Sequence, residues 1–145
     1  MTVPQGEENR VIVDTNVIVS AFISPNGKPA KILHMVKNSQ LQICYNDKIL
    51  AEYRDVLTRR HFKFINEERQ EFFEHLERLG LFCQPLASTF PMPDETDRPF
   101  YDVAKHCNAD LITGNTKHYP PESFIHTPTE FLAAIGMLQQ KGEPT

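Results

Sequence analysis

The sequence predicts a single α/β domain in which helices cover both faces of a mainly parallel β-sheet. Short β-branched and apolar runs alternate along the chain with longer segments whose apolar residues recur at helical spacing. Strands that alternate with helices are typical of parallel sheets, because each crossover helix lies on a face of the sheet. The length of 145 residues suits one domain with one core.

Five short segments have the composition expected of buried strands. The first is a β-branched run that ends directly before Asp14. The fourth passes through Leu111 and Ile112 and then meets the turn residues Gly114 and Asn115. The predicted strands comprise residues 11–13, 41–45, 81–83, 109–113 and 124–125.

Six further segments combine helical spacing of apolar residues with signals for where a helix begins or ends. Pro29 and Pro128 suit the first turn of a helix, where the missing N–H costs nothing. Asn46 or Asp47 can cap the third helix, and Gly80 ends the fourth. The predicted helices comprise residues 16–23, a segment that starts near residue 29 and includes residue 36, and then 48–57, 67–79, 98–107 and 128–138.

The remaining segments predict loops and chain ends. Residues 85–97 are rich in proline, serine, threonine and acids, which is typical of a loop. The chain shows no internal repeat, low-complexity tract or linker. We therefore expect one domain over residues 1–145, with flexible ends at 1–9 and 139–145.

The charge balance limits the kinds of partner that the chain can hold. Lys and Arg number 15 and Asp and Glu number 19, which gives a net charge of −4. A protein with a large phosphate-gripping surface usually carries a basic surplus, and this chain does not. The balance does not exclude an enzyme that contacts phosphate through a metal ion.

The cysteines and the apolar runs bear on the compartment. Cys44, Cys83 and Cys107 are odd in number, far apart and next to apolar runs, which predicts buried free thiols in a reducing compartment. No apolar stretch approaches the length needed to span a bilayer, and the first ten residues lack the apolar core of a signal peptide. We expect a cytoplasmic protein without a membrane contact.

Asp14 is the sharpest candidate for a functional residue. It ends an apolar strand and stands directly before a helix, and ligands of open α/β sheets bind beyond such carboxyl ends. Thr113 and Asn115 follow the fourth strand, so they converge with Asp14 if the two strands are neighbours. On this residue alone, a helix cap is an equally good interpretation.

Glu52 is the second candidate. Its helical position is in line with Ile49 and Val56, at the edge of the apolar stripe. Helix geometry alone favours the alternative, a surface glutamate paired with Arg59 or Lys48.

Asp97 is the third candidate, in the acidic segment 93–97. It immediately precedes the helix that starts at Arg98, so an N-cap within a solvated acidic loop is an equally good interpretation. Taken together, three converging carboxylates would repel one another without a cation. Mg²⁺ and Mn²⁺ prefer such oxygens and can polarise a phosphate and activate a water. Asn16, Asn115 and the hydroxyls of Thr15 and Thr113 are supporting candidates that could orient water.

Four segments in order resemble a known family. They are VIVDTNVIVSAF at residues 11–22, YNDKILAEYRDVL at 45–57, DETDRPFYDVA at 94–104 and ADLITGNTKHYP at 109–120. The first looks like the opening motif of PIN-domain ribonucleases. It is similar in particular to toxin components of prokaryotic toxin–antitoxin systems, relatives of the VapC toxins. The resemblance covers nearly the whole chain.

The resemblance implies a three-layer α/β/α sandwich and cleavage of RNA that depends on Mg²⁺ or Mn²⁺. It places metal binding and catalysis on Asp14, Glu52 and Asp97. Asp97 is preferred to Asp94 because its spacing to Asn115 suits the family's third and fourth positions. It also implies single-stranded RNA as substrate, a small antitoxin protein as partner and a homodimer.

The fourth position is often aspartate in the family and is Asn115 here. This removes one negative charge, so the site is expected to hold its metal more weakly or to hold one ion instead of two. Lys117 and His118 could contact substrate phosphate, although ordinary loop solvation is favoured. Asp102 points away from the apolar stripe of its helix and is expected to be solvated. Phe62, Phe64 and Phe72 are candidates for either the core or a dimer interface.

Three functional hypotheses follow from these residues. The first is a metal-dependent endoribonuclease that acts as a toxin, which the three acids favour. The second is a non-catalytic PIN-fold interaction module, which Asn115 and the acidic net charge favour. The third is a receiver-like or phosphatase-like domain with Asp14 as nucleophile, which formation of a phospho-aspartate would support.

Overall fold

The computed structural model describes residues 9–59 and 66–142, with backbone only for 137–142. Its five strands form one all-parallel sheet in the order β3-β2-β1-β4-β5. The strands are β1 (Arg10–Val13), β2 (Gln42–Tyr45), β3 (Leu81–Phe82), β4 (Asp110–Ile112) and β5 (Ile125–His126).

Helices connect these strands and complete a three-layer α/β/α arrangement, which confirms the predicted fold class. Two short 3₁₀ turns, Glu95–Asp97 and Thr116–His118, precede α5 and follow β4. The helices are α1 (Thr15–Ile23), α2 (Lys28–Lys37), α3 (Asp47–Leu57), α4 (Asn66–Leu79), α5 (Arg98–Cys107) and α6 (Pro128–Gly142).

The predicted elements agree with the observed ones to within a few residues. The α5 helix has the predicted bounds, and Asn46 is the residue that caps α3, since its side chain accepts a hydrogen bond from the Ile49 N–H at 2.8 Å. The α4 helix begins at Asn66, one residue before the predicted start. The α6 helix continues to Gly142, beyond the predicted end at Leu138. The local signals therefore located each element and left its ends approximate.

The centre of the sheet is β1, which is buried on both sides. Val11 and Ile12 are fully buried, as expected for a strand that is covered by helices on two faces. The chain builds β2 and β3 on one side of β1 and then crosses to place β4 and β5 on the other side. This change of direction opens a crevice at the carboxyl ends of β1 and β4, where α/β proteins bind their ligands.

The α5 helix packs against β1, β2 and β4 and also contacts α3. Its buried side, which includes Phe100, Tyr101 and Val103, supplies much of the core. Because α5 begins directly after Asp97, packing of the helix fixes the position of that residue next to the sheet. The core therefore orients one of the candidate acids.

The prediction that Asp102 is solvated is wrong. Asp102 is buried, and its carboxylate accepts hydrogen bonds from the backbone N–H and the hydroxyl of Ser88 at 2.9 and 2.6 Å. The segment after β3 lies over this side of α5 and supplies partners that the helical wheel could not show. Phe72 lies in the core at 2% exposure, whereas Phe62 and Phe64 are outside the described residues.

The prediction of three free thiols is also wrong. Cys83 and Cys107 form a disulfide across 24 residues of sequence, and Cys44 is free and buried. Burial raises the pKa of the Cys44 thiol to about 12, so this thiol stays protonated and unreactive. The argument from free thiols to a reducing compartment therefore no longer holds. Among the described residues, no helix has the length and apolar character to cross a membrane.

Replacement of Leu76 by alanine tests the packing of α4. Leu76 is fully buried, whereas Leu79, one turn later, is 46% exposed. We expect Leu76→Ala to lower the free energy of unfolding by about 2–5 kcal/mol and Leu79→Ala by less than about 1 kcal/mol. Urea titrations of both variants under one redox condition measure this. Equal losses would contradict the observed packing of the helix.

Candidate active site

Asp14 stands where β1 ends and α1 begins, and its carboxylate faces β4. Its backbone N–H donates to the Ile112 carbonyl at 2.9 Å, which continues the β1–β4 pairing by one residue. The side chain, 7% exposed, forms no capping bond to α1. Its Oδ2 accepts hydrogen bonds from the Thr113 hydroxyl at 2.8 Å and the Tyr119 hydroxyl at 3.2 Å. Asp14 therefore occupies the cap position without serving as a cap.

The two hydroxyls hold the Asp14 carboxylate in one orientation. Thr113 Oγ1 accepts the Asn115 N–H at 3.1 Å, so its own proton is directed at Asp14. Burial, followed by the charges of Asp14 and Asp97, raises the pKa of Tyr119, so its hydroxyl keeps its proton and remains a donor. Both donors use Oδ2, and within residues 9–59 and 66–142 Oδ1 accepts no side-chain hydrogen bond. One oxygen of Asp14 is therefore available to a ligand.

Glu52 lies on α3, half-buried, and accepts a hydrogen bond from the Thr15 hydroxyl. Thr15 directly follows Asp14, so this bond ties Glu52 to the end of β1. The alternative ion pair with Arg59 is not formed, because Arg59 pairs with Asp55 at 3.1 Å. Tyr53, the next residue on α3, is fully buried and donates to the Val13 carbonyl. Two successive residues of α3 thus contact the end of the same strand.

Asp97 closes the 3₁₀ turn before α5, and its side chain forms no capping hydrogen bond. The side chain is 15% exposed, and its buried Oδ2 accepts no hydrogen bond from any residue that the structure describes. Burial, followed by the charges of Asp14 and Asp94 and with a smaller contribution from Glu52, raises the pKa of Asp97 from its ordinary value near 3.8 to about 6, although His118 acts in the opposite direction. Asp97 is thus close enough to Asp14 and Glu52 for all three carboxylates to repel.

Asp94 and His118 also lie close to Asp97. Asp94 caps the 3₁₀ turn through bonds from the Thr96 N–H at 3.0 Å and the Thr96 hydroxyl at 2.7 Å. His118 Nδ1 lies 3.5 Å from Asp97 Oδ2. One ligand atom each from Asp94, Asp97 and His118 all lie within 4.8 Å of one another. The sequence analysis did not predict this grouping. It preferred Asp97 to Asp94 as a ligand, and it considered His118 only as a contact to substrate phosphate.

The remaining candidates lie at the rim. Asn115 is exposed, and its side-chain oxygen caps the turn Thr116–His118 by accepting the Lys117 N–H at 3.1 Å. Asn16 and Lys117 are exposed as well. Among the described residues, none of these three side chains is hydrogen-bonded to the carboxylates. Tyr119 is the functional neighbour that the sequence missed, since a tyrosine four residues after Asn115 carries no recognisable signal.

The donor set fits a divalent cation. A hard cation neutralises carboxylates that repel one another, as those around Asp97 do. It would also contact the Asp97 Oδ2, which is buried and accepts no hydrogen bond from the described residues. Asp14 and Glu52 are close enough to Asp97 to act on its charge, but among the described acids and histidines the ligand atoms that lie within 4.8 Å of one another belong to Asp94, Asp97 and His118. Without a cation the cluster of acids is electrostatically unfavourable. Cation binding therefore explains the presence of these acids better than a contribution to stability does.

A cleft of about 690 Å³ adjoins this cluster and includes Glu52 in its wall. Its charged lining residues are Lys48 and Arg98 against Asp47, Glu52, Glu95 and Asp102, a balance of two minus four, or −2. Arg98 itself is held by Glu95 at 2.6 Å. A phosphate in this cleft would meet negative potential unless a cation is bound next to it.

The comparison with known families now bears on this geometry. Residues 10–117 match the family model described as PIN domain, which spans most of the chain and all of the acids above. The chain belongs to the PIN domain family. PIN domains are generally nucleases, so the fold is of the nuclease type. The resemblance of the four sequence segments is thereby confirmed at the level of the family.

A curated relative is also similar to this chain. It is the uncharacterized protein MJ1680 of Methanocaldococcus jannaschii, which is 29% identical over 109 residues. The alignment covers 73% of this chain and 70% of the relative. Its description gives no activity, so the similarity adds no information about substrate.

Asp97→Asn should stabilise the metal-free protein at neutral pH. Folded Asp97 keeps its proton up to about pH 6 and unfolded Asp97 only to about 3.8, so its contribution to stability is lost as pH rises through this window. An amide carries no such penalty. Between pH 4 and 7.5, the variant's advantage in unfolding free energy should grow by roughly 1–3 kcal/mol.

Chemical denaturation in EDTA at a series of pH values measures this advantage. The exposed Glu74→Gln is the control, since a solvated side chain should show a constant difference. An Asp97→Asn advantage that stays flat or shrinks with pH would show that the carboxylates do not repel.

Proposed function

We propose that the protein is a metal-dependent endoribonuclease that cleaves single-stranded RNA and acts as the toxin of a toxin–antitoxin pair. The catalytic role is supported by the position of Asp14 and Glu52 at the carboxyl end of β1, close enough to Asp97 for their charges, after burial, to raise its pKa. Membership of the PIN domain family supports the nuclease class. The partners proposed are RNA, a small antitoxin protein and a second copy of the chain, in the cytoplasm and without a membrane contact.

The residues of the chain would prepare the site as follows. Thr113 and Tyr119 fix one oxygen of Asp14, which leaves the other directed at a ligand. Thr15 fixes Glu52 from the first turn of α1. A bound divalent ion, Mg²⁺ or Mn²⁺, would supply charge neutralisation at the phosphate and would make a water more acidic and so a better nucleophile.

The electrostatics of the neighbouring cleft support the dependence on metal. The charged residues of its lining sum to −2, and Asp14, Asp94 and Asp97 lie close by. A phosphodiester is therefore repelled from the metal-free site. The charge of the protein therefore does not attract RNA at long range. An ion in the site would supply the local positive charge that the lysines and arginines do not.

Asp14→Asn and Glu52→Gln should each lower cleavage of a varied single-stranded RNA pool by about 100-fold or more, because several kcal/mol of stabilisation through the metal are lost. Each change keeps the size of the side chain and removes its charge. Asp55→Asn, on the same helix as Glu52 and 71% exposed, is the matched control and should keep full activity.

Gel or sequencing readout with Mg²⁺ or Mn²⁺, and with EDTA, completes this experiment. An RNA pool left intact by the folded wild-type protein with either ion would instead support the non-catalytic interaction module, which the use of the Asn115 amide as a turn cap favours. Cleavage that survives Asp14→Asn would remove Asp14 from the mechanism.

The toxin role has its own test. Induced expression of the wild-type chain in a bacterial host should arrest growth, whereas Asp14→Asn at a matched protein level should not. Co-expression of a short reading frame that adjoins the gene should restore growth and co-purify with the chain. Cleavage in vitro without growth arrest would leave a nuclease that is not a toxin.

A further inference from the structure

We propose that Asp94, Asp97 and His118 form a metal position of their own, which shares Asp97 with Asp14 and Glu52 and selects a first-row transition-metal cation over Mg²⁺. This inference deepens the metal-dependent site and rests on the proposed function for its biological use. The family resemblance placed no ligand at Asp94 or His118. The three side chains come from two separate 3₁₀ turns that the fold brings together.

The distances suit a shared ion. Around an octahedral ion with ligands at about 2.1 Å, neighbouring ligand atoms lie about 3 Å apart and opposite ones about 4.2 Å. Asp97 Oδ2 and His118 Nδ1 are 3.5 Å apart, and one ligand atom from each of the three side chains lies within 4.8 Å of the other two. A contraction of about 0.5 Å would bring the first pair into register around an ion of this size.

The atom that faces His118 has no other partner. Asp97 Oδ2 is buried and accepts no hydrogen bond from the part of the chain that the structure describes, although a buried carboxylate oxygen normally has one. The His118 imidazole lies 3.5 Å away, within the range of an ion pair when it is protonated, but forms no hydrogen bond to this oxygen. An ion between the two would contact both groups. Neither a solvated loop nor a helix cap accounts for the buried Asp97 Oδ2.

The hydrogen bonds of the two turns hold Asp94 and His118 in place and leave a ligand atom of each available. Asp94 accepts the two bonds from Thr96 with the same oxygen, Oδ1, so Oδ2 stays available. Asn115 caps the turn that ends at His118. The side-chain oxygen of Asn115 is engaged in this cap, so on this side of the site the ligand would come from His118 instead.

The imidazole decides which ion the position prefers. Mg²⁺ is bound by carboxylates and water and keeps most of its hydration shell, whereas imidazole nitrogen suits first-row transition metals. A set of two carboxylates and one histidine therefore binds Mn²⁺ or Zn²⁺ in preference to Mg²⁺. Mn²⁺ is the useful probe, because its electron spin reports directly on nitrogen ligands.

The experiment measures Mn²⁺ bound to the untagged protein by pulsed electron paramagnetic resonance, which detects the spin coupling of a ligated nitrogen. We expect this coupling in the wild-type protein and in Glu52→Gln, and its loss in His118→Gln. His34→Gln, an exposed histidine on α2, is the matched control and should keep the coupling. A tenfold excess of Mg²⁺, on the order expected for a poorer ligand match, should leave it in place.

Affinity provides a second readout. Asp94→Asn keeps an oxygen for the bonds from Thr96 and removes the charge, so it should raise the Mn²⁺ Kd by about tenfold or more with the fold unchanged by circular dichroism. Bound Mn²⁺ without nitrogen coupling, coupling that persists in His118→Gln, or displacement by Mg²⁺ overturns the proposal. Nitrogen-coupled Mn²⁺ in a protein that cleaves no RNA upholds this position and removes only the nuclease function.

Discussion

The pairing of β1 with β4 is the constraint on which the rest of the site depends. It sets Val13 against Ile112 and continues through the bond from the Asp14 N–H to the Ile112 carbonyl. The residues that follow each strand then meet, so Thr113 donates to Asp14 across 99 residues of sequence. Glu52 is held relative to this point through Thr15, and Asp97 through α5, which packs on the same two strands.

The site is destabilising in electrostatic terms, and this fits a function better than a structural role. Burial and the neighbouring acids raise the pKa of Asp97, while its Oδ2 is buried and accepts no hydrogen bond from the described residues. A fold selected for stability alone would pair such a group or leave it in water. The apolar core around β1, α5 and α4 offsets this cost, and a bound cation would relieve the repulsion.

Local patterns determined much of what was predictable. Periodicity, proline positions and caps gave every helix and strand, because these depend on neighbours within a few residues. The order of the acids along the chain gave Asp14, Glu52 and Asp97 together with the family. The Asp14 cap and the Glu52 ion pair were reasonable alternatives on the same evidence, since helix geometry does not show what lies across the sheet. Contacts with Thr113 and Thr15 distinguish between them.

The sequence by itself therefore determined the elements, the α/β class and the family, because hydrophobic period and motif order are written along the chain. Only the tertiary structure decided what each side chain touches. It buried Asp102 against Ser88, joined Cys83 to Cys107, and brought Tyr119 to Asp14. It also set His118 beside Asp97. Each of these contacts joins segments that are more than ten residues apart, and only packing of the sheet and helices brings such segments together.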